Sequence, residues 1–272
     1  MLDAEAYLDR CLAALASQSY PSDRYEVIIV DNGSTDRSLE IAKSHAGVKV
    51  LSEPRRGPYN ARNRGIAASR GETLAFTDAD CVADADWLSE IAGAMEDRSV
   101  ELICGRRVPA RRTWPIASLA DYEATKDAFV LDGNREEIVY GYAGNMGVRR
   151  EVFDSLGEFI DRPRGSDAMF AQTVARERSC RAIRFAPRAI VTHLEIDNLP
   201  TYFQKVFIYS RHRARNKAII TWRSLSFSER MQVFHETRKR GGYSPLRSAG
   251  LLGLLGFGLV AWWLGSTSAR VR

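Results

Sequence analysis

The chain has 272 residues, 45% hydrophobic and 27% charged, enough for one large α/β domain with an appendage and unlike a disordered or fibrous protein. Its four cysteines, Cys11, Cys81, Cys104 and Cys180, are far apart, with no C-x-x-C pair and no His at zinc spacing; this excludes a disulfide-rich scaffold or a zinc module and reads as reduced thiols. The net charge of +5 hides a division, because Thr201 to Arg247 carries eleven Lys or Arg against two Glu and the remainder is net acidic.

In chain order, Met1 to Ser17 shows acids in an amphipathic pattern, not the basic end and apolar run of a secretory leader, so the domain is expected to face the cytoplasm. Leu8, Leu12 and Leu15 mark a helix ending before Pro21. Tyr25 to Val30 (YEVIIV) is a β-branched run predicted as a buried parallel strand, followed by the turn Asp31 to Asp36 and a helix around Arg37 to Ser44. Val48 to Leu51 is the next predicted strand. Tyr59 to Ser69 is predicted helical, with Ala61, Gly65 and Ala68 small enough to pack on a sheet. Thr73 to Thr77 (TLAFT) is a further strand leading into Asp78, then helix Trp87 to Met95 and strand Glu101 to Arg107. Past Arg112 the pattern is less regular, with helices expected at Arg149 to Leu156, Ser166 to Arg178 and Thr201 to Trp222, and a strand at Ala189 to His193.

The alternation is that of βα units, with ligands expected at strand ends. Ser248 to Ala269 has no charge, and Ala249 to Gly265 is nearly all apolar, Gly or Trp. Those seventeen residues span about 26 Å as a helix, slightly short of a hydrocarbon core of about 30 Å. Trp262 and Trp263 suit an interfacial belt, and the preceding basic block suits anionic headgroups. A buried helix is the alternative; nucleic acid is not expected as a partner, since no recognised nucleic-acid motif accompanies the basic block.

Chemistry concentrates at Asp78-Ala79-Asp80. Residues two apart on a strand share a side, so two carboxylates could meet one cation at the strand end. Hard oxygen ligands suit Mg2+ or Mn2+, which would neutralise charge on a diphosphate. Asp84 and Asp86 suit capping of the helix from Trp87. Asp31 could accept the imide proton of a base or close an Asx-turn with Gly33. Arg55, Arg56 and Arg62 lie between the two strands, where a guanidinium could meet phosphate.

YEVIIVDNGSTD and RRGPYNARNRGIAASRGETLAFTDADCVADADWL resemble the nucleotide-sugar half of the glycosyltransferase family 2 proteins. YGYAGNMGVRREVFDSLGEF resembles that family's acceptor-side stretch, and GSDAMFAQTVAR with FAPRAIVTHLE resembles its base helix and following strand. The resemblance runs from about Ala4 to Glu195. It implies a GT-A fold, a Rossmann-like mostly parallel sheet flanked by helices, and an inverting transfer from a UDP- or GDP-sugar to a carbohydrate or lipid-linked hydroxyl. It implies Asp31, Arg56, Arg62 and Asp78 at the nucleotide, Asp80 with Asp78 at the metal, His193 as a third ligand, Asp167 as general base, and Gly144 and Asn145 on the acceptor side.

Two departures stand out. The family usually has Glu before the base, where this chain has Ser166, a candidate N-cap that leaves Asp167 also readable as a first-turn acid. Family members also open with a strand that should already have ended where this chain begins, so either the sequence is N-terminally incomplete or another segment fills the sheet. The resulting division is a catalytic domain over 1–200 (donor half about 1–110, acceptor half about 111–200), a basic helical region over 201–247 and an apolar membrane-associated segment over 248–269. A cell-membrane location with the catalytic domain cytoplasmic, and single sugar addition, are expected. The alternatives are nucleotidyl transfer on a similar sheet, or a degenerate nucleotide-binding membrane protein.

Overall fold

A computed structural model describes residues 1–220 and 222–269. Helix α1 (Leu8–Ala16) buries Leu8, Cys11, Leu12 and Leu15, the stripe its spacing predicts. Strand β1 (Val27–Asp31), helix α2 (Ser38–Ser44) and strand β2 (Val48–Ser52) form one βαβ unit, and β1 and β2 pair in parallel with Asp31 opposite Ser52. Helix α3 (Pro58–Ala68) starts at a proline whose fixed φ suits a first helical turn. Strands β3 (Thr73–Thr77) and β4 (Cys81–Ala83), helix α4 (Trp87–Ala94) and strand β5 (Leu102–Pro109) complete the first half.

The second half holds helix α5 (Trp114–Leu131), strand β6 (Asn145–Arg149), helices α6 (Arg150–Leu156) and α7 (Ser166–Glu177), and strand β7 (Ile183–His193). Three helices follow: α8 (Leu199–Arg215), α9 (Phe227–Gly241) and α10 (Pro245–Ser268). The second sheet runs β3-β6-β5-β7-β4. Only β5 and β7 are parallel in it; β3–β6, β5–β6 and β4–β7 are antiparallel, so the pairing is more mixed than the expected mostly parallel sheet.

No hydrogen-bonded ladder joins β1 to β3 among the described residues. Each therefore keeps an edge, and although their apolar runs predict full burial, only Val30 and Asp31 of β1 and Leu74 of β3 are buried. Met1 pairs with the end of β1, donating to the Val30 carbonyl and accepting from the Asn32 amide. One core lies between β5, β6 and helices α5 to α7, where Phe153 and Phe170 stack at 4.7 Å. A second, with Leu8, Leu12, Trp87, Ile91 and Val191, lies under α1 and α4. A third joins α5, α9 and α10 through Leu119, Phe234, Tyr243 and Leu251.

The sheet breaks register between Gly105 and Arg106. Asn145 fills the break, donating to the Arg106 and Ala189 carbonyls at 3.0 and 2.8 Å and accepting from the Trp87 indole at 2.8 Å. A side chain at Gly105 would collide with Asn145 and the Ala189 carbonyl.

Helices α5 and α9 were not legible from apolar periodicity, because α5 is buried on several sides and α9 is mostly polar. The helix expected to reach Trp222 stops at Arg215, where the Asn216 side chain turns to the Arg164 carbonyl. Asp86 does not cap α4 with its side chain; it accepts from Ser19 instead.

Helix α9 opens with a capping box, in which the Ser226 hydroxyl accepts from the Glu229 amide and the Glu229 carboxylate from the Ser226 amide. Hydrogen bonding from Arg223, followed by bonds from Ser226, holds the Glu229 pKa down at about 2, against an ordinary 4.5. A depressed carboxylate stabilises the fold above its unfolded pKa, and that contribution is lost as pH falls from about 4.5 through about 2. Melting curves of wild type and Glu229→Gln should differ by a constant amount above that window and converge at its acid end.

Candidate active site

Asp31 ends β1 and is buried, its carboxylate accepting from the Gly33 and Ser34 amides at 3.3 and 3.2 Å. That is the Asx-turn geometry. The neighbouring Asn32 pins the β2–α3 loop to this turn, donating to the Glu53 and Arg55 carbonyls at 2.8 Å each and accepting from the Gly57 amide at 2.7 Å. The pinned loop lays the Arg56 guanidinium against Gly33. Arg56 is exposed, and among the described residues no carboxylate lies within ion-pair distance of it. Arg55, by contrast, is tied to Glu53 at 3.0 Å.

Asp78 and Asp80 do not share a strand face. β3 ends at Thr77, and the Cys81 amide donates back to the Asp78 carbonyl at 3.0 Å, closing a tight turn that sends the two carboxylates to different partners. Asp78 takes the Arg62 guanidinium at 2.5 Å. Arg62 in turn lies over the Tyr59 ring, 5.3 Å from its centroid. Asp80 is brought to His193 by strand pairing: Cys81 sits opposite His193 in the β4–β7 register, and the Leu194 amide donates to the Asp80 carbonyl at 2.8 Å.

The His193 Nε2 is 3.5 Å from Asp80 Oδ2, and its Nδ1 is buried without a partner among the described residues. Burial raises the Asp80 pKa, with His193 partly offsetting it, and burial lowers that of His193. A neutral imidazole whose Nε2 faces a carboxylate, at a spacing that admits an ion between them, fits a divalent cation. Cys81 belongs to the same cluster. Burial, and next the charge of Asp78, push its thiol up, and the carboxylate and imidazole beside it are donors that suit Mn2+ or Mg2+. Asp78, committed to Arg62, lies outside that cluster.

Asp167 stands in the first turn of α7. Its N-cap is Gly165, whose φ of 90° is the left-handed conformation that favours glycine, so Ser166 does not cap as expected and its hydroxyl is buried without a partner among the described residues. The Tyr59 hydroxyl donates to Asp167 Oδ1 at 2.7 Å while accepting from the Gly165 amide at 3.0 Å. The Ala143 amide donates to Asp167 Oδ2 at 2.9 Å. Burial, then the charge of Asp167, holds the Tyr59 phenol well above its ordinary pKa, so it remains a donor.

Ala143 and Gly144 lie between the two carboxylates. A Cβ on Gly144 would come within 2.8 Å of Asp78 Oδ2, so the backbone here touches the Asp78–Arg62 pair on one side and Asp167 on the other. Asn145, expected on the acceptor side, is wholly buried with its amide committed to the sheet and to Trp87. It is a framework residue.

Tyr59, the Ala143 amide and Asn32 were missed from sequence. Tyr59 and Arg62 are three residues apart on α3, so helical spacing alone places them on one face; nothing local reveals a backbone amide as a ligand. Gly144→Ala is expected to displace Asp78 from Arg62, since a Cβ there would come within 2.8 Å of Asp78 Oδ2; a crystal structure of the variant checks this.

The sequence model of the family described as Glycosyl transferase family 2 matches residues 1–157, more than half of the chain. The chain belongs to glycosyl transferase family 2. This family 2 chain is 31% identical over 188 residues to Glycosyltransferase AglE of Haloferax volcanii, a match covering 62% of the chain and 60% of AglE. It is 35% identical over 106 residues to Putative glycosyltransferase EpsH of Bacillus subtilis, covering 38% of the chain and 30% of EpsH. The chain therefore spans less than two thirds of these relatives' own length.

Among solved structures, the family 2 chain resembles the mannosyltransferase PcManGT from Pyrobaculum calidifontis in complex with GDP-Man and Mn2+, with a TM-score of 0.61 and 18% identity over 99% of this chain and 71% of that one. It also resembles glucosyl-3-phosphoglycerate synthase from Mycobacterium tuberculosis in complex with Mn2+, UDP and glucosyl-3-phosphoglycerate, with a TM-score of 0.55 and 18% identity over 79% and 77% of the two chains. The shared architecture is the GT-A fold, a sheet flanked by helices.

Proposed function

We propose that the chain is an inverting glycosyltransferase that moves a sugar from a UDP- or GDP-sugar to the hydroxyl of a carbohydrate or lipid-linked acceptor at a membrane face. One observation carries this reading. The residues proposed to hold a cation and the proposed base lie along one connected set of contacts: a turn joins Asp80 to Asp78, Asp78 pairs with Arg62, Arg62 lies over Tyr59, and Tyr59 and the Ala143 amide bond Asp167, while Asp80 faces His193. Donor binding is supported by the fold-mates, solved with GDP-Man in one case and UDP in another.

In this reading Asp31 accepts from the base and Arg56 meets the diphosphate, while the Arg62–Asp78 pair holds the ribose side. Asp80 and His193 would hold Mn2+ or Mg2+, which when bound supplies positive charge against the departing diphosphate. Asp167 takes the proton of the attacking hydroxyl. Tyr59 and the Ala168 amide hold Oδ1 and the Ala143 amide holds Oδ2, which fixes the plane of that carboxylate and leaves a lone pair on Oδ2 for the acceptor. Direct attack opposite the leaving diphosphate inverts the anomeric carbon. The catalytic domain is residues 1–200, with the basic region 201–247 and the apolar segment 248–269 serving membrane association.

The test is a panel of nucleotide sugars with Mn2+, followed by proton NMR of the product's anomeric coupling. Inverted configuration with release of a nucleoside diphosphate supports the proposal. Retained configuration contradicts the mechanism, and release of pyrophosphate would place the chain among nucleotidyl transferases.

A further inference from the structure

Helix α10 has 24 residues and mean hydropathy 1.6 over its most apolar window, with only 17% of that window buried. At about 1.5 Å per residue it is long enough to cross a bilayer. Its packing argues for another disposition. Its first half lies on α5: Trp114 covers Gly250, Arg247 donates to Ser118 at 3.2 Å, and Leu251 is buried in the core with Leu119 and Tyr122. Its second half lies on α8, side by side and parallel. Phe257 meets Phe203 with ring centroids 4.6 Å apart, Gly258 faces Phe203, and at Gly265 the Ser210 side chain and Phe207 carbonyl leave no room for a Cβ.

Helix α8 is itself fastened to the catalytic body. Lys205 pairs with Glu195 at 2.6 Å, Arg164 lies over the Tyr209 ring at 5.3 Å, and beyond the helix end Asn216 donates to the Arg164 carbonyl at 3.2 Å. Setting α10 upright in a bilayer would draw α8, with its ion pairs, into hydrocarbon, where unsolvated charge is costly.

The face of α10 turned away from the protein is wholly apolar. Leu252, Leu259, Val260, Trp263 and Leu264 are all exposed along one wide stripe, with Phe257, in edge contact with Phe203, at its border. Both ends of the stripe are basic. Exposed Lys239 and Arg240 precede it, with Arg247 in its first turn; exposed Arg215 and Lys217 follow Ser210 of α8, which lies opposite Gly265 near the other end. A spanning helix would have to place these two basic groups on opposite sides of the membrane, against the bias of Lys and Arg to one side. A helix lying flat puts both on the headgroups of one leaflet.

We propose that α10 lies in the plane of an anionic lipid surface, with its apolar stripe in the headgroup–acyl boundary and α8 holding the catalytic body above it. This rests on the membrane-face reading and names its geometry. Because Asn216 and Tyr209 touch the Arg164 segment just before Asp167, the acceptor side of the cleft borders the lipid surface. An acceptor anchored in the same leaflet would reach the base without leaving the membrane.

The test uses the full chain in a Cys180→Ser background, since Cys11, Cys81 and Cys104 are buried. Single cysteines replace Leu252, Gly256, Val260 and Trp263, each exposed, and carry a polarity-sensitive fluorophore. Vesicles of phosphatidylcholine with phosphatidylglycerol contain lipids bearing quenchers at a shallow or a deep position. Equal, shallow depth at all four sites is expected, with binding weakened by salt and by about 5-fold for each of Lys239→Gln and Arg240→Gln, the weight of one basic charge at an anionic surface. A depth profile graded along the helix with one deep centre would overturn the proposal in favour of a spanning helix. Absence of quenching at every site would overturn it too. Nucleoside diphosphate binding, measured on the same samples, reports separately on the catalytic reading.

Discussion

Replacing Asp167 with Asn is expected to lower turnover by about 10³-fold, within the range for loss of a general base, while leaving donor affinity unchanged. The isostere keeps the shape of the first turn of α7 and an oxygen for the Tyr59 hydroxyl or the Ala143 amide, so the fold survives and the proton acceptor is what goes. Tyr59→Phe separates chemistry from positioning. It removes the hydroxyl that joins Asp167 to the Gly165 amide but not the carboxylate, and a fall of about 10-fold in kcat is expected, in keeping with modest misplacement of a catalytic group. Steady-state kinetics on both variants decides the matter. Full turnover by Asp167→Asn would remove this residue from the mechanism.

Asp80→Ala is expected to cost about 10² to 10³-fold in turnover, the usual weight of one group that stabilises developing charge, and to raise the Mn2+ concentration needed for half activity. His193→Ala should shift the metal requirement in the same direction, because the two side chains face each other across 3.5 Å. Asp78→Ala should behave differently. Its carboxylate holds Arg62, so its loss is expected to weaken donor binding while sparing the metal requirement. Titration of activity against Mn2+ for the three variants separates these outcomes, and an unchanged requirement in Asp80→Ala would move the cation elsewhere.

The local elements of the donor half were legible because each carries a self-contained signal. The leucines of α1, the β-branched run of β1 and the small residues of α3 each specify an element without knowledge of its neighbours. What the residues did not disclose is pairing. The short strand β4 has no periodicity to find, yet its register with β7 is what brings Asp80 to His193. Without it, the two aspartates read as a shared strand face, whereas a turn separates their roles.

Asn145 shows the same limit from the other side. A polar residue in a resembling stretch invites a ligand role, but the carbonyls it satisfies exist only because the sheet breaks register at Gly105, a tertiary event. The support of Asp167 is likewise non-local, since Tyr59 comes from 108 residues away. The apolar composition of α10 was legible, while the face it leaves exposed depends on which side α5 and α8 already occupy.

The most direct measurement is calorimetric titration of UDP and GDP into the chain with and without Mn2+, repeated on Asp80→Ala and Asp167→Asn. One nucleoside diphosphate is expected to bind with Mn2+ and far more weakly without it, Asp80→Ala to lose this dependence, and Asp167→Asn to retain it. Binding that is indifferent to Mn2+, or that survives intact in Asp80→Ala, would contradict the account.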